Sequence, residues 1–503
     1  MGFAQVLSRA QVGLLAPQVR VEVHLGSGLP SFSIVGLPAP VVRESKERVR
    51  AALAHCGFEF PAGRITVNLA PADLPKEGGR FDLPIALGIL VASGQAAPDC
   101  DLATTEFYGE LGLTGELKPV PGLLLAALHA AESRHEMYVP VRNAASLRLA
   151  GSTRIHVLTH LRELQAGAQP VSVEEESDIA GVQPRATPRL PDLAEVRGQW
   201  QAKRALVIAA AGGHSLLMMG PPGSGKSMLA QRLPGLLPPL SRTEALEVAA
   251  IAAVAQIELT PVVARPFRAP HHTASAHAIV GGGTAIRPGE VSLAHHGVLF
   301  LDELPEFNRS VLEGLREPME SGVVSVVRAN QRAEFPAAFQ LVAAMNPCPC
   351  GRAGQIKPPC KCHPTQIQRY RGRISGPLLD RIDLQLQLPA VSAAELVEPA
   401  ASSGVRIALT TAIAARAVCD ARQRQIDRQG RTNSQLGPDA TLRYCAASTQ
   451  GMTLLRRATD SRGYSARSQH RILRVARSIA DLEQCEVVGA THIGEALAMR
   501  WEE

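Results

Sequence analysis

The feature that most constrains this 503-residue chain is a glycine-rich turn between an apolar strand pattern and a helical pattern. Residues 220–227 read Gly-Pro-Pro-Gly-Ser-Gly-Lys-Ser and fit G-x-x-x-x-G-K-[ST] at every position. An apolar run, 215–219, precedes the turn, and Met228, Leu229 and Leu233 follow it at helical spacing. Such a turn presents backbone N–H groups at a helix N-terminus, where phosphate binds well. The sequence therefore predicts a parallel-sheet α/β domain with a nucleotide-phosphate site.

Each residue of this phosphate loop (220–227) has a predicted role. The residues whose backbone would enclose the phosphates are Gly220, Pro221, Pro222, Gly223, Ser224 and Gly225. Lys226 is predicted to neutralise charge on the β- and γ-phosphates, and Ser227 is predicted to hold Mg²⁺. ATP and Mg²⁺ are therefore the expected cofactors.

Two further apolar strands end in polar residues that suit the same chemistry. Residues 297–301 lead to Asp302 and Glu303, predicted to hold Mg²⁺ largely through water and to activate the attacking water. An alternative is that both acids cap the next helix. The run 340–345 leads to Asn346, whose amide is predicted to orient that water; the alternative is a turn-forming Asn before a proline.

Together with these three motifs, several further segments carry a family resemblance. They are residues 196–199, 203–205, 209–214, 267–272 and 375–383. The combination resembles the magnesium-chelatase-related branch of the AAA+ ATPases, and the whole chain resembles the ComM/YifB family. This resemblance implies a homohexameric ATPase ring that moves on DNA. It further implies a branch-migrating helicase that acts during integration of DNA in natural transformation and homologous recombination.

The same resemblance assigns roles to two arginines. Arg381 resembles the arginine finger that reaches the nucleotide of the neighbouring subunit, where its permanent charge would stabilise the γ-phosphoryl oxygens. The alternative is a salt bridge with Asp380 or Asp383. Arg467 resembles the sensor-2 arginine of the helical lid, and the alternative is a solvated side chain in an arginine-rich helix.

The chain is predicted to be α/β in three domains joined with one linker. The bounds are 1–167 for an α/β domain, 168–191 for a Pro- and Ser-rich acidic linker, 192–390 for the AAA+ core and 391–503 for an all-helical lid. Residues 75–79 and 109–122 make the first domain resemble the Lon-type proteases. The positions of the protease serine and lysine fall on Arg80 and Leu124, which implies a Lon-like fold without peptidase chemistry.

Four regions are candidates for DNA contact. Lys76 and Arg80 suit contact with DNA or a neighbouring subunit, or simply a solvated turn. The glycine-rich segment between 268 and 291, with three histidines (His271, His272, His277), resembles a loop near the ring's pore and offers no matching acid or cysteine cluster for a metal. Residues 323–335 are typical of a β-hairpin, with Arg328 and Arg332 near its tip, where they suit contact with phosphates. The alternative is an ordinary hairpin with solvated ends.

The fourth region is the arginine-rich stretch from 416 to 477. It carries thirteen arginines against four aspartates, a local excess of nine positive charges compared with +6 for the whole chain. Such a surface suits sequence-independent binding to a single- or double-stranded phosphate backbone, with affinity that falls as salt rises. A solvated helix face is the alternative.

Cysteine usage gives two expectations. Cys348, Cys350, Cys360 and Cys362 form the pattern C-x-C-x₉-C-x-C, which suits a structural Zn²⁺ and also fits four reduced thiols. Nine cysteines with no secretory signal at the start of the chain favour a cytoplasmic protein. The longest apolar runs fall short of the roughly 18 residues that a membrane span needs, so no membrane association is expected.

Three other functions remain compatible with parts of the sequence. One is the motor subunit of a magnesium chelatase, which the Lon-like domain and the arginine-rich lid disfavour. Another is an ATP-dependent protease, disfavoured because Arg80 and Leu124 replace the catalytic pair. The third is a remodelling factor whose ATPase is indifferent to DNA.

Overall fold

A computed structural model of the chain describes residues 2–147, 150, 153–164, 171–172, 190–257, 264–283, 286–328, 331–355, 358–390 and 409–500. The side chains of 171–172, 327–328 and 331–332 lie outside that description. The chain forms two compact units. The first unit comprises 1–187, 245–263 and 327–334, and the second comprises 188–244, 264–326 and 335–503. Most of the predicted linker lies outside the described residues, and the predicted domain bounds stay predictions.

The first unit is built on an eight-stranded mixed sheet. In spatial order its strands are Val171–Ser172, Ile155–Leu158, Glu136–Pro140, Thr105–Phe107, Gly2–Arg9, Gln18–Gly26, Arg64–Ala70 and Ser31–Val35. A separate two-stranded sheet pairs Glu110–Leu111 with Leu117–Lys118. The helical elements that belong wholly to this unit are Pro40–His55, Gly79–Phe81, Asp82–Ala92, Leu123–Ser133, Val141–Asn143, Ala144–Leu147 and Leu161–Leu164.

Helix Asp82–Ala92 packs on this sheet through a close backbone approach. Alternate residues of strand Gln18–Gly26, among them Val21 and Val23, are fully buried, as its period-two pattern predicts. A Cβ added at Gly88 would lie 2.5 Å from Val23 Cγ2, so glycine is needed where the helix crosses the strand. The mixed strands and helices predicted for this part of the chain are confirmed.

The second unit contains the predicted parallel sheet. Its five strands, in spatial order, are Phe267–Arg268, Val298–Leu301, Gln340–Met345, Leu216–Met219 and Leu384–Gln387, and every neighbouring pair is parallel. The helical elements before residue 390 are Leu193–Glu195, Trp200–Gly212, Lys226–Leu236, Ala276–Val280, Glu290–Leu293, Leu304–Glu306, Arg309–Gly314, Arg316–Ser321, Pro364–Arg371 and Gly376–Leu379. Helix Arg242–Val254 spans residues of both units.

Two further sheets have two short strands each. One pairs Gly281–Gly282 with Arg287–Pro288. The other pairs Val323–Arg328 with Gln331–Pro336, which confirms the predicted β-hairpin at the level of its backbone.

The C-terminal region is helical, as predicted, within the part that the structure describes. Its helical elements are Thr411–Gln429, Asn433–Gln435, Pro438–Tyr444, Thr449–Arg462, Ala466–Leu482 and Ala490–Ala498. Apolar residues of these helices, such as Val418 and Ile472, share a buried core with Leu206 and Met218 from the sheet region of the same unit. Among the described helices, none combines the length and apolar character that a bilayer crossing requires.

Candidate nucleotide site

The strand order brings three predicted motifs to one edge of the second unit's sheet. The phosphate loop follows strand Leu216–Met219, which pairs with Gln340–Met345; that strand in turn pairs with Val298–Leu301. Because all three strands are parallel, their carboxyl ends meet at the same edge, where ligands bind in open α/β sheets. Asn346 and Asp302 therefore both face the neighbourhood of the phosphate loop.

The phosphate loop has the backbone of an anion cradle. Gly223 and Gly225 adopt φ of 78° and 87°, a left-handed region that favours glycine. A Cβ at either position would meet no atom within 4 Å, so open space faces the loop there. The eleven-residue helix Lys226–Leu236 begins at this point and directs its free N–H groups toward that space. The loop therefore fits the phosphates of a nucleotide.

Lys226 reaches back across the loop that it ends. Its Nζ donates to the carbonyl oxygens of Gly220 at 2.7 Å and Pro221 at 2.9 Å, and lies 3.4 Å from Asn346 Oδ1. Burial lowers the pKa of Lys226, whereas the nearby charges of Asp302 and Glu303 raise it. The cation thus sits among acceptors at the centre of the site.

Ser227 and Asp302 are in direct contact. Ser227 Oγ donates to Asp302 Oδ2 at 2.7 Å, although the two residues are 75 positions apart. A hydroxyl and a carboxylate are oxygen ligands of the kind that Mg²⁺ prefers. The two residues predicted to hold the metal are therefore adjacent, and their oxygens fit it.

The backbone of Glu303 adopts a left-handed conformation that is unusual for a residue with a side chain. Its φ is 53°, and its own N–H donates to Asp302 Oδ1 at 2.9 Å. This turn at the strand's end lets both acids face the nucleotide side, and the Glu303 side chain stays half exposed. Its Oε2 lies 3.2 Å from His272 Nδ1.

His272 is the site residue that sequence reasoning missed. The sequence suggested only a pore loop around it. It follows the edge strand Phe267–Arg268, which pairs in parallel with Val298–Leu301 and ends at the same edge of the sheet. A polar residue just after a fourth parallel strand was the available signal.

Comparison with known proteins agrees with this geometry. The family models that match are "Magnesium chelatase, subunit ChlI" over 192–396, "Subunit ChlI of Mg-chelatase" over 21–143 and "Magnesium chelatase, subunit ChlI C-terminal" over 408–500. Competence protein ComM of Haemophilus influenzae is 45% identical over 505 residues, covering 99% of this chain and 98% of that protein. The chain belongs to the ComM/YifB family.

Two other relatives differ in how much of this chain they match. The protein YifB of Salmonella typhimurium is 44% identical over 506 residues, which cover 99% of this chain and 97% of that protein. The magnesium-chelatase 38 kDa subunit of Cereibacter sphaeroides is 29% identical over 180 residues, covering 32% of this chain and 53% of that protein. With its phosphate loop and parallel sheet, the chain is a ComM/YifB-type AAA+ ATPase.

The two arginines assigned by resemblance have different surroundings. Arg381 is largely buried, with its Nη2 2.6 Å from Glu320 Oε1 and its Nη1 donating to Pro377 O at 2.8 Å. Glu320 is thus its ion-pair partner in this ComM/YifB chain, whereas Asp383 pairs with Arg471. Arg467 is exposed in the first turn of helix Ala466–Leu482.

The four cysteines of the predicted metal pattern converge. Their Sγ atoms all lie within 4.8 Å of one another. The separations are 3.4 Å between Cys348 and Cys350, 3.7 Å between Cys348 and Cys360, and 3.6 Å between Cys350 and Cys360. Tetrahedral Zn²⁺ with Zn–S bonds of roughly 2.3 Å places its sulfurs about 3.8 Å apart, so the cluster fits that ion. The same distances are far longer than the roughly 2.05 Å of a disulfide.

The arginine-rich stretch from 416 to 477 is divided between surface and interior. Six of its thirteen arginines are half-buried or buried and donate hydrogen bonds within the second unit: Arg422, Arg424, Arg428, Arg471, Arg474 and Arg477. The other seven are exposed: Arg416, Arg431, Arg443, Arg456, Arg457, Arg462 and Arg467. The side chains of Arg328 and Arg332 lie outside the described residues.

The expectation for Lys76 and Arg80 is wrong. Lys76 is fully buried and its Nζ donates to Pro71 O, and Arg80 is only 5% exposed. Arg80 Nη2 donates to Pro121 O at 2.8 Å and to Gln11 Oε1 at 3.1 Å, and burial lowers the pKa of its guanidinium. Neither residue is a solvated turn residue or available to DNA, because acceptors inside the first unit already hold both cations.

Proposed function

We propose that this protein is an ATP-driven DNA motor: a homohexameric branch-migration helicase that integrates DNA during natural transformation and homologous recombination. The meeting of Lys226, Ser227, Asp302, Glu303 and Asn346 at one sheet edge supports the ATPase. Similarity over the full length to a protein named for competence supports the DNA role. We place the motor in the cytoplasm, where nine cysteines would remain reduced.

In the proposed reaction each group has one task. The phosphate loop and Lys226 bind the phosphates, and Asn346 orients the attacking water. Glu303 accepts the proton of that water through its half-exposed carboxylate. Mg²⁺, held by Ser227 and Asp302, would neutralise charge on the phosphate oxygens.

Arg381 is proposed to complete the site of the neighbouring subunit, with Arg467 acting from the helical lid. A finger supplied in trans requires a closed ring, hence the homohexamer. Within one chain the Arg381 guanidinium is held by Glu320. Reaching a neighbour's γ-phosphate would exchange that carboxylate for another anion, so the residue stays charge-paired in both arrangements.

DNA contact is proposed for the seven exposed arginines of 416–477 and for Arg328 and Arg332 of the hairpin. Guanidinium groups on phosphate bind branched, single-stranded or double-stranded DNA without reading its sequence. The inward-facing six arginines are unsuited to this role, since carbonyl and carboxylate acceptors occupy them. Affinity should therefore fall steeply with salt, as expected for phosphate contacts.

We also propose that Cys348, Cys350, Cys360 and Cys362 bind one structural Zn²⁺. Support comes from sulfur separations of 3.4–3.7 Å and from two backbone donors to sulfur. The N–H groups of Ala353 and Cys362 lie 3.2 Å and 3.4 Å from Cys348 Sγ and Cys360 Sγ. Such N–H donors stabilise the thiolates that Zn²⁺ requires.

A magnesium-chelatase motor is the second candidate, because the three matching family models carry that description. A protease is disfavoured: Arg80 and Leu124 occupy the expected catalytic positions, and both are buried in the first unit. The third alternative, a remodelling factor without helicase activity, predicts ATP turnover that DNA leaves unchanged.

The test is ATP hydrolysis and branch migration on four-way-junction DNA by wild type and Lys226→Ala. We expect DNA to stimulate the wild type, and the variant to lose both activities because the charge at the β- and γ-phosphates is gone. Lys118→Ala, which changes an exposed lysine of the first unit, is the matched control and should behave as wild type. Turnover that responds to a porphyrin and not to DNA would support the chelatase instead.

A further inference from the structure

We infer that Zn²⁺ bound by the four cysteines holds Asn346 and the phosphate loop in position. ATP turnover therefore depends on the metal. This inference rests on the ATPase and the zinc site proposed above. It goes beyond a merely structural ion, because it assigns the ion a positioning role in hydrolysis.

The first connection runs along the chain. Asn346 directly follows strand Gln340–Met345, and Cys348, which is fully buried, comes two residues later. The intervening Pro347 is also buried, and its carbonyl oxygen accepts from Arg371 Nε at 3.2 Å. Asn346 therefore lies between a rigid sheet strand and the first zinc ligand. A shift of Cys348 would move the side-chain amide of Asn346.

The second connection runs through space. Gly351 follows the first cysteine pair with φ of 76°, and its N–H donates to Cys348 O at 2.9 Å. A Cβ added to Gly351 would lie 2.6 Å from Pro222 Cδ and 3.9 Å from Asn346 Cγ. The backbone of the cysteine turn thus packs directly on the phosphate loop, which only glycine permits at this distance.

The cysteine loop (347–363) has little else to hold its shape. Its described residues contain no helix or strand, and only Pro347, Cys348 and Gly351 among them are buried. A loop without its own core usually depends on a metal or a cross-link. Removing the metal would release the turn from Pro222 and with it the Asn346 amide, which lies 3.4 Å from Lys226 Nζ.

The experiment compares three variants of the full-length protein. Cys360→Ser removes one ligand, Cys360→His restores a Cys₃His set, and Cys485→Ser changes an exposed cysteine outside the cluster as the control. Zinc content is measured by mass spectrometry, and Co²⁺ substitution should give the charge-transfer and d–d bands of tetrahedral thiolate ligation. We expect wild type, Cys360→His and Cys485→Ser to hold one zinc per chain.

The kinetic readout separates positioning from general stability. Loss of zinc in Cys360→Ser should lower kcat for ATP about 10-fold or more, with a smaller change in KM, while Cys360→His recovers most of kcat. In an Asn346→Ala background, Cys360→Ser should lower kcat by a smaller factor than it does in the wild type, because only the part of its effect that acts through the phosphate loop remains. Should Cys360→Ser fail to fold, zinc can be released from wild type with a mercurial, and kcat should fall in proportion and return with thiol and Zn²⁺.

The outcomes are distinct. A zinc-free Cys360→Ser with wild-type kcat, additive losses with Asn346→Ala, or a wild type without zinc would each overturn the inference while leaving the ATPase intact. A folded, zinc-bound wild type that hydrolyses no ATP would overturn the proposed function itself, and the inference with it.

Discussion

Glu303 illustrates how much of the chemistry depends on single side chains and their immediate contacts. Its left-handed backbone, at φ of 53°, is rare for a residue with a side chain and clusters at functional sites. The conformation turns its carboxylate toward His272, whose Nδ1 lies 3.2 Å away. The Glu303 side chain is still 50% exposed, so water can reach its carboxylate. His272 is thus a positioning residue for the proposed base.

We expect His272→Ala to lower kcat for ATP roughly 5- to 10-fold with little change in KM, about what losing one hydrogen bond of ~1 kcal/mol implies. His271→Ala is the matched control. His271 lies beside His272, with ring centroids 4.1 Å apart and the rings tilted by 33°, but its Nδ1 lies 2.9 Å from Thr273 Oγ1 rather than beside Glu303. Equal losses in the two variants, measured by steady-state kinetics, would contradict the role given to His272.

At the scale of elements, a buried polar network joins the parallel sheet to the C-terminal helices. His214, just before strand Leu216–Met219, lies 3.2 Å from Asp383 Oδ2 through Nδ1 and 2.7 Å from Ser478 Oγ through Nε2. Ser478 belongs to helix Ala466–Leu482, as does Arg471, whose Nη1 donates to Asp383 Oδ1 at 3.0 Å. The helix that begins near Arg467 is therefore tied to the strand that leads into the phosphate loop.

The pKa of Asp383 predicts how this network responds to acid. Burial alone would raise that pKa, but the hydrogen bond from His214 and the charges of Arg471 and Arg474 lower it below its ordinary value. A depressed carboxyl pKa stabilises the fold above the unfolded value near ~3.9, and this contribution is lost as pH falls toward the folded pKa.

We expect Asp383→Asn to reduce the free energy of unfolding by about 3–5 kcal/mol at pH 7, because buried cations lose their partner. The difference from wild type should shrink below about pH 4, because the Asp383 carboxyl of the unfolded wild-type chain then takes up a proton while the folded one stays ionised. Urea unfolding across pH measures this, with the exposed neighbour Asp380→Asn as control. If the difference in unfolding free energy between variant and wild type grows as pH falls, the predicted direction of the pH dependence is wrong.

At the scale of the whole molecule, the proposed ring requires that each active site draw on two chains. Lys226 supplies one chain's contribution, and Arg381 supplies that of its neighbour in the proposal. Within one chain Arg381 contacts Glu320. If the arginine finger acts in trans, a variant that lacks Lys226 and a variant that lacks Arg381 can together form a complete site. If the arginine acts within its own chain, they cannot.

Lys226→Ala and Arg381→Ala should each abolish ATP hydrolysis when pure, whereas mixed rings should regain part of it. A site formed by the intact loop of one variant and the intact arginine of the other is complete. ATPase assays on mixtures made before ring assembly test this, with native mass spectrometry to count subunits. No recovery in mixtures shown to contain both chains would contradict a finger supplied in trans.

Local sequence patterns predicted the strands, loops and helices of the proposed site well. The phosphate loop, the apolar strands ending in Asp302 and Asn346, and the helices after residue 410 all follow from short-range spacing, and the structure has each of them. Charge counting predicted less. Lys76, Arg80 and six of the thirteen arginines turn inward to acceptors of their own unit, some of them far along the chain, and composition carries no information about such partners.

Most residues of the proposed chemistry and the spacing of the four cysteines in two pairs can be read from the chain alone, because periodicity and motif spacing are local properties. Three contacts appear only in the folded chain: strand Gln340–Met345 lies between the other two strands of the proposed site, His272 lies beside Glu303, and Gly351 packs on Pro222. These contacts join residues 31 to 129 positions apart. They arise from strand order and packing, which depend on the whole core at once rather than on any single stretch of chain.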